Sequence, residues 1–403
     1  MPLPIRLVLI FIASAFVAGQ INRAIYRLAW TPRSIGPWTP PVEKAPPRRF
    51  IDRVPIIGWW TLQRESSIHG ESFWVRPLLI ELAFSLAMVF LYIFEIDRGL
   101  YPAGVVVASM DLHMQFFSHV TLFALMLAAS FIDIDERIIP DEITIPGTLL
   151  GFGFATLYPS SMLPVWVPGM PPIVVAPNWL TQPAEWNAWL ESASGLFVGI
   201  GCLAAWGYAL VPKTLWYRGG IVKFFRYLIV SIYRSPMTKY LIGAFVLLSI
   251  LTYIVWSVGG TYWMGLITSL VGMAVGGGIV WLVRIIAGPI VGQEAMGFGD
   301  VTVMGMIGAF LGWQTSLIVF FLAPFSGAII AVIQRITTKR PDIAFGPFLC
   351  SAACFVVVCW AEIWTRWGYP TFFWGWLVPI GIGVLLVLLA ITLAVIQLVK
   401  RAF

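Results

Sequence analysis

Charge is what this chain has little of. Asp, Glu, Lys and Arg make up 11% of its 403 residues, against roughly 25% in soluble domains. With 59% hydrophobic residues, 20 Trp and 28 Phe, that deficit excludes an ordinary soluble fold and reads as a membrane protein. Cysteine is scarce as well: Cys202, Cys350, Cys354 and Cys359 all lie inside apolar runs, the last three at helix-face spacing. A disulfide framework or a zinc site built on them is excluded on that ground. Histidine is nearly absent, and neither His69 nor His113 has a ligand partner at metal spacing. No Lys or Arg occurs between Arg137 and Lys213. The cations instead gather in a few loops, so the net charge of +6 describes cytoplasmic loops of a bilayer protein rather than a nucleic-acid surface.

What is present is a series of apolar runs near the roughly 20 residues needed to cross the hydrocarbon core. The reading is an all-α polytopic membrane protein with about eleven spans, eight at the fewest: 4–22, 78–97, 114–132, 144–158, 191–212, 239–257, 263–287, 300–313, 316–334, 345–364 and 373–398. The fourth and eighth are short. The first is read as a retained span rather than a cleaved leader, because Arg23 and Arg27 follow it and outweigh Arg6. The segment 23–76 holds nine Lys or Arg and 213–239 holds six with no acid, whereas the Pro- and Trp-rich loop 158–190 holds none. An odd number of spans with the N-terminus outside puts both basic loops, Lys339-Arg340 and Lys400-Arg401 in the cytoplasm. The chain then divides into a first helix (1–22), a cytoplasmic loop domain (23–76), a membrane part (77–158), an inserted region (159–287), a second membrane part (288–365) and a C-terminal helix (366–403). Ile221 to Arg234 reads equally as an amphipathic helix on the inner leaflet or as an ordinary basic loop.

Two acidic stretches interrupt the apolar pattern: Asp133-Ile-Asp135-Glu136-Arg137-Ile-Ile-Pro140-Asp141 and Gly297-Phe-Gly299-Asp300. A carboxylate near lipid is costly to keep and is a candidate for function. Four spans separate Asp133 from Asp300, so an even number of crossings returns both to one membrane face. Two carboxylates held together cannot both ionise cheaply and share a proton. The charged one can take a proton from an attacking water while the neutral one hydrogen-bonds a carbonyl oxygen. Gly297 and Gly299 allow a tight turn and close approach, Pro140 closes the first motif with a fixed backbone angle, and Arg137 balances charge or reaches a headgroup. Against this stand blander readings. A lone Gly-x-Gly-Asp is weak in a chain with 37 glycines, and Asp133, Asp135, Glu136 and Asp141 have the look of a solvated loop. Glu81, Asp111 and Arg284 read as interfacial, with Glu81 facing a span.

Taken together, Asp133-x-Asp135 with Pro140-Asp141, Gly297-x-Gly299-Asp300 followed by Gly308-Ala-Phe-Leu-Gly-Trp313, and Phe345-Gly-Pro-Phe-Leu349 resemble the type IV prepilin peptidases, intramembrane aspartyl proteases of the Gly-x-Gly-Asp class. Arg33-Ser34, Val54-Pro55-Ile-Ile-Gly-Trp59 and Leu79-Ile-Glu81-Leu are similar to the cytoplasmic loop that joins that family's first two spans. The resemblance covers 1–155 and 290–365. It implies Asp133 and Asp300 as the catalytic pair, with Asp135, Arg137, Pro140, Asp141, Gly297 and Gly299 in support. It implies cleavage of a short basic leader from prepilin or pseudopilin precursors at a Gly–Phe-like junction, in the bacterial inner membrane with the site facing the cytoplasm. The precursor's mature N-terminal helix would stay in the bilayer.

The chain departs from that pattern in three places. The loop cysteines that bind zinc in many members correspond to Gly36, Thr39, Ser66 and His69, so no thiolate site can form there and the loop must be held otherwise, its Pro and Trp content being one means. Methylation of the new terminus with S-adenosylmethionine, which the resemblance also implies, belongs to the same region and is in question for that reason. A lysine common two positions after the second aspartate is Thr302, and the separation of 167 positions from Asp133 to Asp300 exceeds the usual spacing. Two other classes stay open from residues alone: a proton- or ion-coupled transporter, and a non-catalytic assembly scaffold.

Overall fold

A computed structural model describes residues 1–33, 35–42, 45–98, 100–101, 105, 107–168, 175–211, 236–291, 296–338 and 344–402. Most of the basic loop 213–239 and Lys339-Arg340 lie outside the described residues. The long helices are α1 (Leu3–Arg27), α2 (Val75–Ile93), α3 (Ser109–Glu136), α4 (Asp141–Leu157), α5 (Ala193–Leu210), α6 (Pro236–Val258), α7 (Gly260–Val291), α8 (Phe298–Thr338), α9 (Gly346–Val358), α10 (Trp360–Phe372) and α11 (Leu377–Ala402). The chain is a nearly all-α, multi-pass membrane protein. Among the described residues eight helices are long and apolar enough to cross a bilayer, nine if the pair α9–α10, bent by 85°, is one span. This is the low end of the range read from sequence, for identifiable reasons. Helix α4 has only 17 residues, α9 and α10 divide one apolar run, and the runs 300–313 and 316–334 are continuous in α8 except for a reversal between them.

Helix α8 is nonetheless not straight. Gly312 has φ 81° and ψ 170°, values open to glycine and not to the helix around it. The Ser316 hydroxyl lies 3.0 Å from where a Cβ on Gly308 would stand, whereas eight residues of straight helix would separate them by about 12 Å. The chain therefore doubles back at Gly312. The arm before this turn is buried from Asp300 to Leu311, apolar on every side, as a helix sheathed by other helices must be. It packs on α7, α9 and α4. Close approach to α7 is set by a reciprocal glycine pair. A Cβ on Gly272 would lie 2.2 Å from the Gly308 carbonyl oxygen, and one on Gly308 would lie 2.1 Å from that of Gly272. Small residues that bring backbones together are the usual means of helix association where lipid removes the hydrophobic drive.

The Gly312 end is locked by the loop between α4 and α5. A two-stranded ribbon, β1 (Pro164–Trp166) and β2 (Val175–Pro177), lies there in antiparallel register. Indole and amide donors tie its surroundings down: Trp360 to the Pro164 carbonyl at 2.6 Å, Trp364 to Trp166 at 2.8 Å, Trp313 to Leu180 at 2.8 Å and Gln314 to Trp179 at 2.8 Å. Each bond satisfies a carbonyl that no helix serves.

Between α1 and α2 the basic segment folds into short helical turns, Phe50–Arg53, Ile57–Thr61, Leu62–Glu65 and Ser66–His69. Ion pairs organise it, and the tryptophan content offered by the sequence contributes through buried Trp59. Asp52, fully buried, receives the Arg64 guanidinium at 2.8 and 2.5 Å, the Arg49 N–H at 2.7 Å and the Thr61 hydroxyl at 2.8 Å. Arg48 pairs with Glu65, and His69 lies 3.7 Å from Glu65. At Gly36 and Thr39 the turn closes by the Thr39 hydroxyl donating to the Gly36 carbonyl at 2.8 Å. The module is fastened to the bundle through Glu81 of α2, which is buried and accepts from Asn22 of α1 at 3.1 Å, from the Trp59 indole at 2.8 Å and from the Ile56 N–H. Ile56 sits at φ 66°, a strained value for a β-branched residue. Its bond to Glu81 holds it there.

Glu81→Ala removes the acceptor of three donors at once, at about 1–3 kcal/mol for each group left unsatisfied. Limited proteolysis of the membrane-embedded protein is expected to show rapid cleavage within 28–74 in that variant, with Glu81→Gln intermediate because its amide NH2 cannot accept from the Ile56 N–H. Asp52 supplies a pH dependence. Burial alone would raise its pKa, but Arg64, the Arg49 N–H and Thr61 hold it well below the usual carboxylate range. A depressed folded-state value stabilises fully above the unfolded value of about 4 and is lost as pH falls below it. Protease sensitivity of the module is expected to rise below about pH 4, and Asp52→Asn to show that sensitivity already at pH 7.

Candidate active site

Four helix ends meet at one point. Helix α3 stops because Arg137 adopts a left-handed conformation (φ 59°, ψ 34°) while its N–H still reaches the Asp133 carbonyl at 2.9 Å. Pro140, extended, caps the start of α4, where Asp141 and Glu142 occupy the first turn and face the positive end of the helix dipole. Asp133 thus sits in the last turn of α3 and Asp141 at the first position of α4. Helix α8 begins at Phe298, and Asp300 accepts the Gly297 N–H at 3.1 Å across its first turn. Helix α9 begins at Gly346, whose N–H points at Asp133 Oδ2 from 3.1 Å.

Asp133 and Asp300 are each 6% exposed, and both line a cavity of 680 Å³ with Arg137, Asp141, Gly297 and Phe345. They interact electrostatically across it, while Arg137 acts on Asp133 and Arg284 of α7 on Asp300. Arg284 also lies over the Phe298 ring at 5.7 Å. Each aspartate has one oxygen engaged by a backbone N–H of the segment that carries or faces it. The pair can therefore hold a water and a peptide carbonyl between them, with protons exchanged through the carboxylates.

The residues singled out from sequence do not all converge. Asp135 turns away from the cavity to Arg76 of α2, both of its oxygens lying 2.8 Å from Nη1. Glu136 is bound by the Trp30 N–H and the Thr31 hydroxyl. These two acids tether α3 to α2 and to the segment after α1. Gly297 and Gly299 have no positive φ, so the chain there does not use a glycine-only backbone angle. Gly299 is small for another reason: a Cβ would lie 2.7 Å from Ile139 Cβ. Thr302, in place of a lysine, donates to the Gly299 carbonyl at 3.0 Å. What the residue-level reading missed is Gly346 as a donor to Asp133. A Cβ there would stand 2.6 Å from the carboxylate oxygen. Phe345-Gly346-Pro347 carried the signal, because proline at the second position marks a helix start with a free N–H before it.

The model of the type IV leader peptidase family matches residues 120–184 and 237–332, a region that includes both aspartates. A prepilin leader peptidase/N-methyltransferase of Aeromonas salmonicida is 36% identical over 83 residues, 20% of this chain and 28% of that protein. One from Pseudomonas aeruginosa is 33% identical over 91 residues, 22% of this chain and 30% of that protein. One from Neisseria gonorrhoeae is 25% identical over 175 residues, 43% of this chain and 58% of that protein. The chain thus matches between about a quarter and three fifths of the length of these relatives. No solved structure matches it. With the family's model running through both helix ends that meet at the cavity, the chain is a member of the type IV leader peptidase family.

Proposed function

We propose that this protein is an aspartyl endopeptidase that removes short basic leaders from prepilin or pseudopilin precursors. The observation that carries the reading is the meeting of Asp133 and Asp300, 167 positions apart, in one cavity at the ends of buried helices. The ionised carboxylate takes a proton from water as its oxygen bonds to the scissile carbonyl carbon. The protonated carboxylate hydrogen-bonds the carbonyl oxygen, and on collapse the C–N bond breaks with a proton passing to the departing amine. The two groups titrate as a pair, so acid and base are properties of the dyad. The Gly346 N–H fixes Asp133 in orientation, and Arg137 and Asp141 frame the cavity rim.

The positive-inside pattern supports an N-terminus outside, a C-terminus inside and a site facing the cytoplasm of the inner membrane, where a basic leader would lie. Proteolysis by this route requires no cofactor. The four loop positions where relatives carry cysteine offer no thiolate, and we take zinc to play no part. Methylation with S-adenosylmethionine is a separate question of the same loop region.

Asp133→Asn and Asp300→Asn are each expected to abolish leader removal from a co-expressed precursor, read by mass spectrometry of the product, while the protein stays inserted. Normal processing by either variant would overturn the dyad. Asp135→Asn, outside the cavity, is expected to cost only a few-fold, on the order of one surface ion pair. Gly346→Ala forces a methyl against the Asp133 carboxylate and is expected to lower kcat about tenfold or more, by the 1–3 kcal/mol typical of overpacking.

A further inference from the structure

Three cations around the segment after α1 are matched to acids: Arg48 pairs with Glu65, Arg64 with Asp52 and Arg76 with Asp135. Arg23 and Arg27 of α1 are not. Both are exposed, and neither has an acidic partner among the described residues. They stand one helical turn apart on a single face, and both line a cavity of 260 Å³ together with Arg33. The Arg33 N–H donates to the Tyr26 carbonyl at 3.0 Å, which folds the chain back on the last turn of α1. The cavity floor is aromatic and fixed: Trp59 is 1% exposed, and its ring centroid lies 6.3 Å from that of Tyr26. Backbone at Gly36 passes over Trp59, a Cβ there standing 3.9 Å from the indole, and Pro37 and Trp38 complete the wall.

No acid is among the lining residues. The acids nearby are committed elsewhere: Glu81 to Asn22, Trp59 and Ile56, Asp135 to Arg76, and Glu136 to Trp30 and Thr31. Arg33 also acts electrostatically on Glu136. Arginines at the inner end of a span serve orientation alone in many membrane proteins. Orientation does not require cations from two segments to converge on one pocket, where like charges repel. An anion in the pocket offsets that repulsion. Guanidinium forks match the several oxygens of a phosphate, whereas a peptide carboxylate has two oxygens to share among three forks. A basic leader is repelled by the same charges, and so is the sulfonium of S-adenosylmethionine.

We infer that this pocket binds a phosphate ester, held by Arg23, Arg27 and Arg33 with its substituent against Trp38 and Trp59. Two sources carry that chemistry: the headgroup of an anionic lipid in the inner leaflet and a free phosphate compound. The pocket shares no lining residue with the cavity of the dyad, and the inference stands apart from the peptidase reading. Its occupant bridges α1 to the segment that carries Trp30 and Thr31, the donors to Glu136. Binding therefore also steadies the end of α3.

The test uses the full chain in two kinds of nanodisc. In discs of equal phosphatidylglycerol and phosphatidylcholine, native mass spectrometry reads which lipid the released protein retains. In discs of phosphatidylcholine alone, saturable binding of labelled glycerol 3-phosphate is measured. A preference for phosphatidylglycerol of about tenfold or more, unmoved by millimolar glycerol 3-phosphate, identifies the lipid headgroup as the source. Saturable glycerol 3-phosphate binding identifies the free compound. In either case Arg23→Gln, Arg27→Gln and Arg33→Gln, made singly so that the positive-inside bias survives, are each expected to weaken binding about fivefold. Arg49→Gln, exposed in the same segment and outside the lining, is expected to bind as wild type does. Retention of neither phosphate ligand, three pocket variants that bind like wild type, an equal loss in Arg49→Gln, or a pocket filled by S-adenosylmethionine in place of phosphate would overturn the inference.

Discussion

The constraint on which the rest depends is the burial of two carboxylates in an apolar bundle. A charge taken out of water is tolerated only where hydrogen bonds and a partner replace the solvent. Here the replacement comes from backbone at helix ends. The first N–H of α9 serves Asp133, and the N–H before α8 serves Asp300. That solution requires three helix ends to stay within hydrogen-bond reach of one another. The glycine pair between α7 and α8 allows the backbones to touch, and the turn at Gly312 returns the chain so that α9 can arrive beside α3. The loop at the opposite end then has a structural role. Its carbonyls are gripped by Trp313, Gln314, Trp360 and Trp364, so α8 cannot tilt and carry Asp300 away from Asp133.

The segment after α1 meets a related problem by other means. Without thiolates to gather a metal, it is held by buried ion pairs around Asp52 and Glu65 and moored by Glu81. Such pairs are strong only when their remaining atoms are satisfied, and Asp52 has four donors around it. The segment is also linked to the site: Glu136, three residues beyond Asp133, binds Trp30 and Thr31, and Asp135 binds Arg76. The same acidic stretch therefore sends one residue to the cavity and two to its scaffold.

Much of this was legible in the sequence, and the limits have physical causes. Apolar runs located the long helices because hydrophobicity over twenty residues has few other uses. Crossing number was less legible: the break between the runs 300–313 and 316–334 was readable and has its pivot at Gly312, whereas α9–α10 bends by 85° inside one apolar stretch. Asp133 and Asp300 were found through motif spacing and parity of spans. Asp135 was set apart from them as a supporting group, but its bond to Arg76 was not legible, because which face of a helix end meets Arg76 depends on how α2 packs. Gly346 was overlooked as a donor since its contribution is a backbone N–H, which every residue but proline has. His119 and Glu95, paired at 2.6 Å inside the bundle, likewise lie 24 residues apart on separate segments with no local pattern to join them.

The account's central claim is that residues 133 and 300 face each other across one cavity in the folded, membrane-inserted protein. The most direct measurement replaces both with cysteine (Asp133→Cys, Asp300→Cys), with Cys202, Cys350, Cys354 and Cys359 changed to alanine. A short bifunctional thiol reagent is then applied to intact membranes and the peptides are mapped by mass spectrometry. The predicted result is a single intramolecular link between the α3 and α8 peptides, absent from either single-cysteine protein. An inserted, correctly folded protein in which both thiols react separately and never with each other would contradict it.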